Sequence, residues 1–210
     1  MPLPALLLRL SGVFIAAGLG LTPALAAESL RFDFGVGAVA AGQVAVRPDM
    51  TYSRERGFGF EPGATVTAIT RNGPDALRED YITGDAPFHF TARVPHEGNY
   101  RVTVTLGDSA GESATTIKAE LRRLMVEKVT TEQGAFRTVT FVVNTRTPAI
   151  AARDGIKSGE VRLKAPRETI QEAWAWDDAI TLEFSNARPA VCGVEIEPVS
   201  VPTLSLLGDS

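Results

Sequence analysis

Tyr100-Arg101-Val102-Thr103-Val104-Thr105-Leu106-Gly107-Asp108 is the stretch whose pattern decides the fold class. Tyr100, Val102, Val104 and Leu106 fall on one side and Arg101, Thr103 and Thr105 on the other. That is the period-two signature of a strand with one buried and one solvated face. Gly98-Asn99 opens the stretch and Gly107-Asp108 closes it, both of them turn signals. Working outward, Leu30-Arg31-Phe32-Asp33-Phe34 alternates in the same way, and a short second candidate surrounds Val44 and Val46. Further strands are predicted at 65–70, 88–94, 115–121, 125–129, 138–143, 161–164, 180–184 and 191–196. Within Tyr52-Ser53-Arg54-Glu55-Arg56-Gly57-Phe58-Gly59-Phe60-Glu61, the interior glycines signal a bulge or the close approach of another backbone. Helical periodicity is nearly absent, and only 148–152 and 168–172 suggest a turn or two. Many short strands separated by turns predict an all-β sandwich.

Bulk properties exclude several classes of function. The 210 residues are 44% hydrophobic and 22% charged, with a net charge of −4. No basic stripe offers a nucleic-acid footprint, and mild acidity disfavours an anionic membrane surface. Arg9, an apolar run over 13–21, and small residues at Ala24 and Ala26 describe a cleavable secretory signal over 1–26. The run is too short for a comfortable membrane span. Export to the periplasm or medium is therefore expected, with no membrane contact after cleavage. Cys192 is the single cysteine and has no partner in the chain. Its alternation with Val194 and Ile196 makes it a small core residue. Residues 28–200 then form the sandwich domain, and Pro198 and Pro202 mark the passage into a separate segment, 201–210.

That last segment, Pro202-Thr203-Leu204-Ser205-Leu206-Leu207-Gly208-Asp209-Ser210, reads as a buried strand of the parallel-sheet kind ending on a serine. Strand tips of α/β folds are where such sheets place their chemistry. In order, the chain carries Phe32-Asp33-Phe34-Gly35, Arg56-Gly57-Phe58-Gly59-Phe60-Glu61, the Tyr100–Asp108 stretch, Trp176-Asp177-Asp178 with Thr181-Leu182-Glu183-Phe184, Glu195-Ile196-Glu197-Pro198 and Gly208-Asp209-Ser210. This series resembles bacterial rhamnogalacturonan acetylesterases of the SGNH (GDSL) type that carry an N-terminal galactose-binding-like β-sandwich. The resemblance implies a jelly-roll sandwich ahead of a flavodoxin-like hydrolase domain, in a secreted enzyme that removes acetyl esters from a galacturonate-containing backbone. It implies Ser210 as the catalytic nucleophile. It also implies a base from a C-terminal Asp-x-x-His and oxyanion donors from later Gly and Asn blocks. None of these follows Ser210, so the expectation is an accessory domain cut at the first catalytic block and inactive as an esterase. The partner implied is pectic polysaccharide, with a monomer expected and no cofactor required.

For the sandwich itself the candidate task is sugar binding. Sugar faces stack on aromatic rings while polar neighbours take the hydroxyls. Trp174 and Trp176, if extended, would share one side, with Asp177 and Asp178 following as hydroxyl acceptors. Tyr52, Tyr81 and Arg56 are further candidates, Arg56 as a partner for a galacturonate carboxylate. The competing structural readings are that the tryptophans pack the sandwich and the Asp pair caps a turn. His89 and His96 read as structural. Asp33, Asp177 and Asp178 could offer oxygens to calcium, but no spaced loop motif supports a metal site. The alternative from another class is an autonomous exported sandwich for binding or adhesion, its terminal Gly-Asp-Ser a coincidence.

Overall fold

A computed structural model describes residues 29–204. The predicted signal segment, Ser210 and most of the predicted C-terminal strand lie outside them. The chain forms β1 (Leu30–Phe34), β2 (Val44–Val46), β3 (Phe58–Phe60), β4 (Thr67–Thr70), β5 (Asp80–Thr83), β6 (Phe88–Arg93) and β7 (Gly98–Gly107). These are followed by β8 (Ser113–Ala119), β9 (Arg123–Thr131), β10 (Phe136–Thr145), β11 (Ala149–Ile150), β12 (Gly159–Glu160), β13 (Ala179–Arg188) and β14 (Val191–Pro198).

Two sheets face each other across one apolar core. The first runs β10-β7-β14-β1-β2, with β5 against β14 and β4 against β5; the second runs β3-β6-β13-β8-β9. Strands β1 and β2 are parallel, whereas β1–β14, β7–β10 and β7–β14 are antiparallel. In β7 the alternation read from sequence is realised: Tyr100, Val102, Val104 and Leu106 are buried and Arg101 is exposed. Phe32 and Phe34 of the first sheet meet Phe90 of the second edge-on, with ring centroids 5.1 and 4.8 Å apart. Phe60, Phe88 and Phe184 extend this cluster. Each such phenylalanine stabilises the fold by about 1.5–3 kcal/mol through burial. Cys192 is fully buried, as its alternation predicts, and burial pushes its thiol pKa up.

The glycine-broken stretch resolves as a close approach of backbones. A Cβ on Gly59 would stand 2.6 Å from Met50 O and Tyr52 N, at a φ of +146° that disfavours side chains. The hydrogen bonds Phe60 N–H to Met50 O (2.8 Å) and Tyr52 N–H to Phe60 O (2.7 Å) stitch the two segments together.

Three readings change. The predicted strand at 161–164 does not form: pairing between β11 and β12 covers two residues on each side, and exposed Val161 adds only its N–H to Pro148 O at 2.8 Å before the ladder ends. The apolar residues at 149–150 pair with β12 instead of making a helical turn. The turn expected at 168–172 is present, as a wide one closed by Gln171 N–H to Pro166 O and Glu172 N–H to Arg167 O. Strand β5 was not predicted at all. It holds Tyr81, which is buried and donates its hydroxyl proton to Asp108 Oδ2 at 2.7 Å, so this candidate sugar ligand is inaccessible. Beyond β14, Val199 N–H bonds Asn99 O, and the Asn99 amide bonds Val201 O and Thr203 Oγ1. Leu204 is exposed.

Candidate functional site

The loop from β12 to β13 organises the surface where most of the candidate residues meet. It makes the wide turn (Arg167–Gln171), then a tight helical turn (Ala173–Trp176). At three residues per turn, positions two apart diverge by roughly 240°. The two indoles therefore part company, contrary to the extended reading. Trp174 packs on the His89 ring, centroids 5.0 Å apart, beside Glu183. Trp176 turns the other way and lies under the guanidinium of Arg146, 4.5 Å from its ring centroid.

On the Trp174 side, the strand ends of the second sheet bring together Tyr52, Arg54, Arg93, Asp177 and Asp178. Asp178 accepts from both Nη atoms of Arg54, at 3.1 and 2.9 Å, and from Arg93 Nε at 2.8 Å. Burial alone would raise its carboxyl, but the two guanidinium partners more than offset this and hold it below the usual range. Asp177 Oδ1 accepts the Ala179 N–H at 3.1 Å, the cap of the turn into β13. Burial raises its pKa to about 6. Tyr52 is half-buried, and burial together with the neighbouring aspartates raises its phenol. Arg56 sits on the same turn but spends Nη1 on Thr51 O at 2.5 Å. Asp33 is elsewhere, accepting the Ala40 N–H and neighbouring Asp80, with its pKa raised to about 6 by burial. Among the described residues no group of three or more metal-ligating side chains comes together.

On the Trp176 side lies a cleft of about 500 Å³, walled by the β8–β9 turn, the segment after β10 and the β12–β13 loop. Its lining includes Glu120, Arg122, Arg123, Arg146, Arg167 and Trp176. Glu168 Oε2 accepts the Lys164 N–H, and Glu172 pairs with Arg167. Arg123 gives Nη1 to Asn144 O at 3.0 Å. Glu120 leaves β8 at a φ of 57°, is 3% exposed, and holds Oε1 without a hydrogen-bond partner. Burial, reinforced by Asp177, lifts its pKa to about 8. Left-handed backbone at a non-glycine residue is uncommon and costs on the order of 1–3 kcal/mol. A buried carboxyl in that state points to a functional position.

Sequence reasoning identified Trp176 but missed the arginines around it. The adjacent Arg122-Arg123 pair on a tight turn was the one available signal. Arg146 and Glu120 reach the cleft only through the tertiary fold.

Residues 30–143 match the family described as beta-agarase/YxiM esterase-like, galactose-binding domain-like. The chain belongs to that family. A stretch of 87 residues is 31% identical to the uncharacterized esterase YxiM of Bacillus subtilis (strain 168), spanning 40% of this chain and 22% of YxiM. The crystal structure of YxiM from Bacillus subtilis aligns with a TM-score of 0.54 and 20% identity over 82% of this chain and 40% of that one. A CBM35 from Paenibacillus barcinonensis aligns more loosely, with a TM-score of 0.36 and 14% identity over 70% of this chain and 98% of that one. This chain thus spans less than half of the length of YxiM. Within the beta-agarase/YxiM esterase-like frame, the cleft joins a wall inside the matched region (Glu120 to Arg123) to one beyond it (Arg146 and Trp176).

Proposed function

We propose that this chain supplies the accessory, carbohydrate-binding module of a secreted SGNH-type acetylesterase that acts on pectic polysaccharide, deacetylating rhamnogalacturonan in the intact enzyme. The observation that carries this reading is the cleft beside Trp176, a concavity of saccharide size with an aromatic ring and several N–H-rich side chains along its walls. Tyr52, Arg56, Asp177 and Asp178 flank it on the other side of the Ala173–Trp176 turn. Membership of an esterase-like family supports a hydrolase domain as the natural companion of the module. In that enzyme Ser210 would be the nucleophile, with base and oxyanion donors drawn from the hydrolase domain. The two histidines of the sandwich are engaged locally, His89 on Trp174 and His96 through its backbone with the Tyr100 hydroxyl.

The test is titration of the chain with rhamnogalacturonan oligosaccharides by calorimetry. Binding should be measurable, and Trp176→Ala should weaken it about tenfold or more, through loss of the ring that holds Arg146 in place. Equal affinity in the variant, with its fold intact by circular dichroism, would remove the cleft from consideration.

A further inference from the structure

We infer that the cleft beside Trp176 reads negative charge, and that its ligand is the free carboxylate of a uronic acid unit held by Arg146 and Arg123. The inference rests on the saccharide-binding reading above and names the sugar class that the site selects.

The argument begins with Arg146. Its guanidinium stacks 4.5 Å over the Trp176 ring, an arrangement that attracts a cation to the aromatic face and fixes its plane. A guanidinium held this way leaves its N–H edges available, and its fork matches a carboxylate with two parallel hydrogen bonds. Because the guanidinium occupies a face of Trp176, that face contributes by positioning Arg146 rather than by stacking directly on sugar. Neither Arg146 nor Arg122 or Arg123 has a carboxylate partner among the described ion pairs. Arg167 differs, being matched by Glu172 at 3.1 Å. Three guanidinium groups outside any described ion pair thus meet at one cleft, alongside Glu120, Glu168 and Glu172. A solvated basic face needs no such convergence.

The second observation is independent of charge count. Glu120 lines the same cleft, is 97% buried, and keeps a carboxyl oxygen with no partner in the folded chain. An unmatched buried polar atom costs about 1–3 kcal/mol, a penalty that a ligand hydroxyl relieves once the shielded Glu120 oxygen turns toward the cleft. A uronate carries both features at once: one carboxylate for the arginines and ring hydroxyls for Glu120. A neutral hexose offers only the second.

Three probes decide the matter, each titrated into the full chain by calorimetry: de-esterified oligogalacturonide, the same oligomer as its methyl ester, and a neutral galactan oligomer. The acid form should bind at least tenfold tighter than the other two, and its affinity should fall as sodium chloride rises from 50 to 500 mM, because salt screens exposed charges. The Arg123→Gln/Arg146→Gln double variant should lose about tenfold or more for the acid form, a larger loss than for the methyl ester. Arg122→Gln, a change on an exposed side chain, checks the charge term without threatening the fold. Equal binding of acid and methyl ester, with no response to salt, would overturn the inference and leave the saccharide-binding reading standing. Full affinity in the folded double variant would do the same. If none of the three oligomers binds, both fail together.

Discussion

Glu120 holds its carboxyl inside the protein with an oxygen unmatched, so its ionisation is linked to folding. Its pKa rises from 4.5 to about 8, through burial first and then the proximity of Asp177, against the opposing pull of Arg123 and the Thr181 backbone contact. Because the native state holds the proton more tightly than the unfolded chain, the contribution to stability is complete below pH 4.5. It is lost as pH rises through about 8. Glu120→Gln keeps the shape without the charge. The variant should melt at a higher temperature than the parent at pH 8.5, by an amount corresponding to roughly a few kcal/mol, and the gap should close toward pH 4.5. A constant difference across that range, read by thermal melts in matched buffers, would mean that Glu120 does not titrate within the fold. Trp174 and Trp176 carry the lesson on legibility at this scale. Their residue type drew attention to them, but the side each ring faces depended on whether the backbone was extended or helical. The arginines beside Trp176 were invisible because three separate segments deliver them.

Among elements, the most legible strands were those with one solvated face. Strands β7 and β8 write their burial into the sequence as alternation, whereas β1, β13 and β14 were legible from β-branched and aromatic residues bounded by turn signals and are buried along consecutive positions. Strand β5 is buried along Asp80, Tyr81 and Ile82, so it shows no alternation, and its leading aspartate argues against a strand. Val161 to Lys164 shows the converse error: a pattern suited to a strand, whose ladder stops after the single Val161 N–H to Pro148 O bond. Gly59 is where local reading succeeded most directly: an interior glycine signalled a bulge or another backbone close by, and the fold realises the second. Gly59→Ala would drive a Cβ into Met50 O and Tyr52 N at a φ that side chains rarely adopt. It should destabilise the domain by about 1–3 kcal/mol, visible as a lowered urea midpoint with an unchanged m-value. An unchanged midpoint would show that the segment at Met50–Tyr52 shifts freely.

At the level of the whole molecule, the aromatic cluster packs the two sheets against each other within one core. Phe90 touches Phe32, Phe34 and Phe60, so Phe90→Ala should cost about 3–5 kcal/mol, measured by chemical denaturation; a loss below about 1 kcal/mol would mean that the sheets close around the gap. The sandwich class was readable because so many short strands leave little else to build. The order of strands within each sheet was not, because pairing partners such as β1 and β14 are separated by nearly the whole sequence.

That last pairing has a consequence for how the domain comes into being. Strand β1 lies between β2 and β14, and Leu30 sits opposite Ile196. The first strand of the sandwich has no complete place to settle until its last strand has been made, so an incomplete sandwich stays unlocked during synthesis. Such distant closure slows folding, and it gives the cell a chain that commits to its final shape only once every strand is present.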